Sequence, residues 1–435
     1  MVQDPVAWLY GLQHFGIKLG LENIRSLLTV LEHPESAYPS VLIAGTNGKG
    51  SVAAMLESML EAHGVRTGLF TSPHLVRPNE RIRIDGADIS TPELNRCLGR
   101  IREKIEDGLG RGILASHPSF FEVITAASLE AFKDAAVDVA LLEVGMGGRL
   151  DATNAVEALL SVVVTVDYDH TERLGPTLKR IAAEKAAIVK KRRQLVSGVE
   201  QEEARDVLAH ACRRAGASLV DARHLAQLEH RPEDRFRLTT GARTYADLSL
   251  PLHGIHQREN ARVAVVALEA LFDDLGFEPD PSRVREGLAG VRWAGRLQWV
   301  EGDPPLLLDG AHNPAGARAL AGYLSTLEER RAVLLFGTMR QKAFRQILRP
   351  LAGRVDAVVI TRPRVERAAD PEELAAVARD VLERVEVIRE PAEALARARE
   401  LARPGGFVLV TGSLYLVGEV LGLLEGDRVP GPVSM

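Results

Sequence analysis

The sequence predicts an α/β fold built on two successive, mainly parallel sheets, and three observations predict it. Short apolar runs alternate with helical stretches through most of the 435 residues. The runs fall into two series, separated by "GVRWAGRLQWVEGDPP". One run, "LIAG", leads into a glycine-rich loop and then a helix. Strands covered on both faces read as unbroken apolar segments, and strands that alternate with helices form parallel sheets. A chain of this length favours two or three domains.

The first series is Val41–Ala44, Val65–Phe70, Val137–Leu142, Leu160–Val166 and Gln194–Ser197. The second is Leu306–Leu308, Ala332–Phe336, Asp356–Ile360, Val385–Ile388 and Phe407–Val410. Helices such as "PEELAAVARDVL" and "PAEALARARELA" open with proline and acids, as a helix N-terminus favours. The domain boundary is placed near residue 296, between the two series. The units are an N-terminal phosphate-loop ATPase domain, 1–296, and a smaller Rossmann-like α/β domain, 297–435.

Composition excludes several classes. With 46% hydrophobic and 26% charged residues the chain reads as globular, and its net charge of −5 implies no basic face for nucleic acid. No apolar run reaches membrane-spanning length, and "MVQDPVAWLYGLQHFG" has no leader pattern. The two cysteines, Cys97 and Cys212, are far apart and form no CxxC, which fits a reducing cytoplasm.

The loop "GTNGKGS" departs from the usual G-x-x-x-x-G-K-[ST] pattern. Gly48 and Lys49 fit, but Gly50 follows and the hydroxyl comes one later, at Ser51. Glycines still let backbone N–H groups turn inward around an anion, and a helix beginning near Ser51 aims its positive end at the loop. Glu143 ends an apolar strand before "VGMGGRLDATN", where phosphate-loop enzymes place a Mg2+-holding carboxylate. Asp167, Asp169 and His170 follow another strand. In α/β sheets, sites gather at the carboxyl ends of strands, where Lys49, Glu143 and His170 all fall. Lys185, in "PTLKRIAAEKAAIVKK", is flanked by alanines; if it faces inward, its pKa falls. In the second series Asp309, His312 and Asn313 follow a strand, as do Ser413 and Tyr415, which suggests a cleft between the domains. Asn260 is read at a helix start, where it could be a cap.

Taken together, "GTNGKGS", "TSPHLVRPNERIRI", "FFEVITAASLEAF", "LEVGMGGRLDATN", "DHTERLG", "EKAAIVK", "HQRENA", "DGAHNP" and "GSLYLVGEV" resemble the folylpolyglutamate synthase and dihydrofolate synthase family, within the Mur ligase group. The resemblance runs from about residue 8 to residue 420, and Gly50 is normal for it. It implies an ATP-dependent carbon–nitrogen ligase that adds L-glutamate to folates, and to dihydropteroate where bifunctional, through an acyl phosphate. By the resemblance, Thr46, Asn47, Gly48, Lys49, Gly50 and Ser51 wrap the ATP phosphates, and Asn260, Arg296 and Asp309 make further ATP contacts. Ser72, Glu143 and His170 hold Mg2+, and Lys185 is carbamylated to serve as a ligand near a second ion. Leu19, Gly20, Leu21, Ser119, Phe120, Phe121, Glu122, Leu150, Asp151 and Ala152 align with pterin-substrate contacts. His312 and Ser413 match stretches that face the incoming glutamate, with His312 joining Lys49, His170 and Lys185 in the chemistry. Two positions depart from the pattern: Pro78 stands where relatives often have Tyr, and Lys18 where some bifunctional relatives have an acid.

The expected partners are therefore small molecules: ATP, L-glutamate, and folate or dihydropteroate. Neither nucleic acid nor membrane is expected, and a cytoplasmic monomer is. Two other readings stand beside this one. A Mur-type ligase of another carboxylate, such as a UDP-sugar, normally has a further N-terminal domain, for which a phosphate loop beginning by residue 45 is expected to leave no room. A nucleotide-dependent switch would make no product; ADP release that needs both folate and glutamate separates it from a ligase.

Overall fold

The computed structural model describes residues 4–15, 20–327 and 331–426. Its larger sheet has eight strands in the order Ala87–Asp88, Ile82–Ile84, Thr67–Phe70, Val139–Glu143, Ser40–Ala44, Leu160–Val163, Gln194–Ser197, Ser218–Asp221. The first two are antiparallel additions and the other six run parallel. Alternation along the strands supplies two cores. Val41, Ile43, Leu141 and Val162 face the helices Lys49–Ala62 and Ile255–Leu275. Leu42, Ala44, Leu142 and Val163 face the opposite layer, which includes Phe120–Asp134.

A second sheet has six strands in the order Gln298–Val300, Leu306–Leu308, Phe407–Thr411, Ala332–Phe336, Val355–Ile360, Val385–Val387, all parallel except the first. Leu307, Leu334, Phe336 and Leu409 fill one face, and Leu308, Leu335, Val408 and Val410 the other.

The α/β class and both parallel series match the expectation, with shifted ends. The run expected to extend as a strand to Val166 leaves the ladder after Val163, because Thr165 turns to serve the phosphate loop: the Thr46 N–H donates to its carbonyl at 2.9 Å. A small antiparallel sheet of Gln227–His230, Phe236–Thr239 and Thr244–Leu248 was not expected. Its strands are short and half-exposed, without the apolar runs that mark the parallel strands. No helix among the described residues is long and apolar enough to cross a membrane.

Candidate active site

Register brings the first set of residues together. Ile43 pairs with Glu143, and Phe70 pairs with Leu142, so the phosphate loop, Glu143 and Thr71–Ser72 emerge side by side at the carboxyl ends of three neighbouring strands. The Ser72 N–H donates to Glu143 Oε2 at 3.0 Å. Glu143 is buried, which pushes its carboxyl above the usual range, against Lys49, the Ser72 N–H, Arg296 and Arg81.

The loop itself is pinned to the next strand. Thr46 Oγ1 donates to the Asp167 carbonyl at 3.0 Å, and the Asn47 N–H to Thr165 Oγ1 at 2.9 Å. The helix begins at Lys49, two residues before the expected Ser51, with Gly48 as its left-handed cap at φ 82°. Gly50 has a physical cause: a Cβ there would lie 2.9 Å from the Trp293 indole, so a serine or threonine would force the indole to shift. Lys49 Nζ donates to the Gly45 carbonyl at 3.1 Å. Ser51 is buried inside the helix.

Asn260 is not a helix cap. It lies inside Ile255–Leu275, which begins after Gly254, and it is buried there. Its amide donates to Gln257 Oε1 at 2.9 Å, and its Oδ1 lies 2.6 Å from where a Cβ on Gly48 would stand. The residue therefore buttresses the phosphate loop from below.

Lys185 does face inward, in the last turn of Leu178–Ala186 beside Ile181, Ala182 and Ala186. Burial, helped by the charge of Lys49, lowers its amine to about 7 against Asp169, Asp151 and Glu184. The glycine loop after Glu143 packs directly on this helix: a Cβ on Gly148 would meet the Glu184 carbonyl at 2.7 Å. His170 caps the short helix Thr171–Leu174 with 41% of its side chain exposed. The protein around it lowers the imidazole to about 4; Asp169 opposes this, and Lys342, His312 and Lys49 add to it. At neutral pH it is thus a neutral ring with a lone pair free to bind a cation.

The second sheet delivers its residues to the same place, again by register. Leu308 pairs with Val410 and Phe336 with Thr411, so three carboxyl-end loops gather around Asp309–Asn313, Ser413 and Lys342. The halves meet at Asp169. Its Oδ1 is 2.5 Å from Lys342 Nζ, and its Oδ2 is 3.3 Å from His312 Nε2 and 3.0 Å from the Asn313 amide. Burial works against this carboxylate, but His312, Lys342 and His170 together hold it far below the ordinary range. Asn313 also donates to Asn47 Oδ1 at 2.9 Å, tying the second half to the phosphate loop. Lys342 and the central place of Asp169 were not found in the sequence; the signal available was "GTMRQK" directly after an apolar strand.

Several expected site residues have structural work. Asp309 accepts from the Leu297 and Ala311 N–H groups at 3.0 and 2.9 Å, while Arg296 donates to the Gly295 carbonyl at 3.3 Å. Ser413 is the buried cap of the last helix, accepting from the Leu416 N–H at 3.1 Å. Asp151 accepts from Thr153 and the Met146 N–H within its own loop, between half-buried Leu150 and buried Ala152. Ser119 and Glu122 form a capping box, yet Glu122 Oε1 is buried without a partner among the described residues. Phe120 stacks on Tyr10 with centroids 5.9 Å apart, and Phe121 meets Phe70 at 5.9 Å. Leu21 is buried and Gly20 half-buried, whereas Leu19 and Lys18 lie outside the described residues. Pro78 is buried at the start of the turn Pro78–Arg81.

A cleft of about 940 Å³ runs between the halves, lined by Gly50, Ser72, Glu143, Trp293 and Arg296 on one side and Leu414 on the other. Among the described residues no group of three or more His, Cys, Asp or Glu side chains is placed to hold a metal. Glu143 has one hydrogen bond among the described residues, at Oε2, which leaves its Oε1 available to a cation.

Comparison with known proteins agrees with this layout. Residues 43–268 match the Mur ligase middle domain, and residues 295–414 match the Mur ligase glutamate ligase domain. The dihydrofolate synthase/folylpolyglutamate synthase of Bacillus subtilis is 33% identical over 96% of this chain and 98% of its own length. The chain belongs to the folylpolyglutamate synthase/dihydrofolate synthase family. As a member of that family it is an ATP-dependent ligase of the Mur group. Folylpolyglutamate synthase of Mycobacterium tuberculosis complexed with ADP superposes with TM-score 0.89 at 34% identity, covering 98% of this chain and all of that one. A bifunctional folylpolyglutamate synthase/dihydrofolate synthase with Mn, AMPPNP and L-glutamate bound superposes with TM-score 0.86 at 29% identity, covering 98% of each chain.

Proposed function

We propose that this chain joins L-glutamate to the carboxylate of a folate, and also of dihydropteroate, by first phosphorylating that carboxylate with ATP. The observation that carries the proposal is the convergence of the phosphate loop, Lys49 and the Glu143–Ser72 pair at three adjacent strand ends, facing a cleft whose other wall comes from the second sheet. We take residue 296 as the boundary between the ATP-binding half, which also carries the folate site, and the glutamate-ligase half.

The chemistry follows from charge. An amide forms from a carboxylate and an amine only when the acyl group is activated, and ATP's γ-phosphoryl supplies that activation. Two anions must approach each other, so cationic groups aimed at the transferring phosphoryl lower the barrier most. Lys49 stands at the loop with the helix N-terminus behind it. Thr46, Asn47, Gly48, Gly50 and Ser51 shape the phosphate cradle, with Asn260, Arg296 and Asp309 as the further ATP contacts. Glu143, His170 and Ser72 would hold Mg2+, which neutralises phosphate charge when bound. Leu19, Gly20, Leu21, Ser119, Phe120, Phe121, Glu122, Leu150, Asp151 and Ala152 belong to the pterin site, where the unpaired Glu122 Oε1 is an acceptor for a ring N–H. His312 and Ser413 serve the glutamate side.

Lys185 is proposed to be carbamylated. Its neutral amine adds to CO2, one C–N bond forms, and one proton leaves to solvent. An amine lowered to about 7 is in large part neutral at physiological pH, and burial protects the product. Closure of the halves through Asp169, Lys342 and His312 excludes water from the acyl phosphate. We further propose a cytoplasmic monomer.

The test is product analysis by mass spectrometry with dihydropteroate and tetrahydrofolate offered separately. Glutamylated product from both, dependent on ATP, supports the proposal. Product from tetrahydrofolate alone removes the dihydropteroate activity, and ATP hydrolysis without product from either favours a switch.

A further inference from the structure

One charged side chain near the cleft lacks acceptors for its two terminal nitrogens among the described residues. Arg81, at the end of the turn Pro78–Arg81, is fully buried at 0% exposure. Its Nε donates to His74 Nδ1 at 2.8 Å, and His74 Nε2 lies 3.3 Å from the Tyr10 hydroxyl. Burial, with the charge of Arg81, holds the His74 imidazole well below its usual value, so it is a neutral acceptor there. The guanidinium carbon sits 5.2 Å from the centre of the Phe120 ring. Nη1 and Nη2 have no hydrogen-bond partner among the described residues.

Neither nearby acid is hydrogen-bonded to the guanidinium among the described residues. Glu80 accepts from the backbone N–H groups of Leu75, Val76 and Arg77 at 2.6, 2.9 and 2.6 Å, and Glu143 accepts from Ser72 at 3.0 Å. A guanidinium out of water with its fork unpaired is among the most costly groups to bury. The fork is also the geometry that a carboxylate fills with two parallel hydrogen bonds. His74, which Arg81 bonds, and Glu80, its chain neighbour, line the cleft, and Phe120 beside the guanidinium lies in the proposed pterin site.

We propose that Arg81 holds the carboxylate end of the acceptor substrate through its two terminal nitrogens, and so selects acids over neutral analogues. The proposal rests on the folate-ligase reading above.

The experiment is equilibrium binding of dihydropteroate and of its carboxamide to the full chain, in wild type, Arg81→Met and Arg81→Gln. Wild type should bind the acid roughly 10- to 100-fold tighter than the amide, the range of a charge-assisted pair. Either variant should bind the two ligands about equally, with amide affinity unchanged. Arg81→Gln keeps a donor for His74 and is the variant read if Arg81→Met does not fold. Retained acid preference in the folded variant overturns the proposal. Equal weakening of acid and amide assigns Arg81 a packing role and overturns it too. A rise in the KM for L-glutamate with unchanged acceptor binding moves the carboxylate to the incoming amino acid, and also overturns it. A wild type that binds neither acceptor refutes the folate reading itself, which separates the two failures.

Discussion

Replacing Lys185 tests the carbamate from several directions. The unmodified ammonium is buried, and its pKa falls from 10.5 to about 7. At ~1.4 kcal/mol per unit, that is a penalty of about 5 kcal/mol on the charged form. The sign follows: the folded lysine titrates below its unfolded value, so the unfolded chain binds more protons between 10.5 and about 7, and stability falls across that window as pH drops. The neutral fraction sets carbamate formation, and it should be about nine-tenths at pH 8 and about one-tenth at pH 6. Activity in CO2-depleted buffer should therefore fall steeply toward pH 6 and recover with added bicarbonate. Lys185→Ala should lose roughly 100-fold or more in kcat, as for loss of one preorganised charge contact. Short carboxylic acids should partly restore it by occupying the vacated space, whereas Lys185→Arg should stay inactive because the guanidinium keeps the wrong charge. The assays are steady-state ADP release and NMR of the protein equilibrated with isotopically labelled bicarbonate. No carbamate signal, no CO2 dependence and no rescue would together refute the reasoning and leave Lys185 a simple charge partner.

Three further outcomes follow from the geometry. Lys49→Ala should abolish turnover and leave the fold intact, since Lys49 Nζ bonds only the Gly45 carbonyl among the described residues; near-normal kcat with a normal Mg2+ requirement rejects the phosphate-loop assignment. Glu143→Ala and His170→Ala should each raise the Mg2+ concentration needed and lower kcat; unchanged Mg2+ dependence in both removes them as ligands. Asp169→Asn breaks the buried contact to Lys342 and should cost about 3–5 kcal/mol in holding the halves together. Small-angle scattering should then show a more open particle, and an unchanged profile contradicts the role given to Asp169.

The sequence made the parallel strands legible because both faces of each are buried, which forces unbroken apolar runs such as "ALLE" and "AVLLF". The loops at their carboxyl ends were legible for the same reason: glycines and polar residues stand out after such runs. Lys185 could be suspected from its alanines, and its inward orientation follows from a helix face shared with Ile181 and Ala182. Other features depend on contacts between distant segments. Gly50 is explained by Trp293, Asp169 by Lys342, and Arg81 by Phe120. None of these pairs has a spacing that local periodicity could reveal. Asn260 does not stand at a helix start as expected, because the helix begins earlier, at Ile255, after a glycine that carries no capping side chain. The antiparallel strands of residues 227–248 escaped because their exposed faces dilute the apolar signal.

The most direct test of the central claim follows an oxygen atom. Folate whose reacting carboxylate carries isotopically heavy oxygen is incubated with ATP, L-glutamate and Mg2+, and the released phosphate is analysed by mass spectrometry. Activation as an acyl phosphate leaves one of those oxygens bridging to phosphorus, and attack by the amine releases it as phosphate. The account predicts one heavy oxygen in each phosphate formed with product. Phosphate free of heavy oxygen, with glutamylated product accumulating normally, would contradict it.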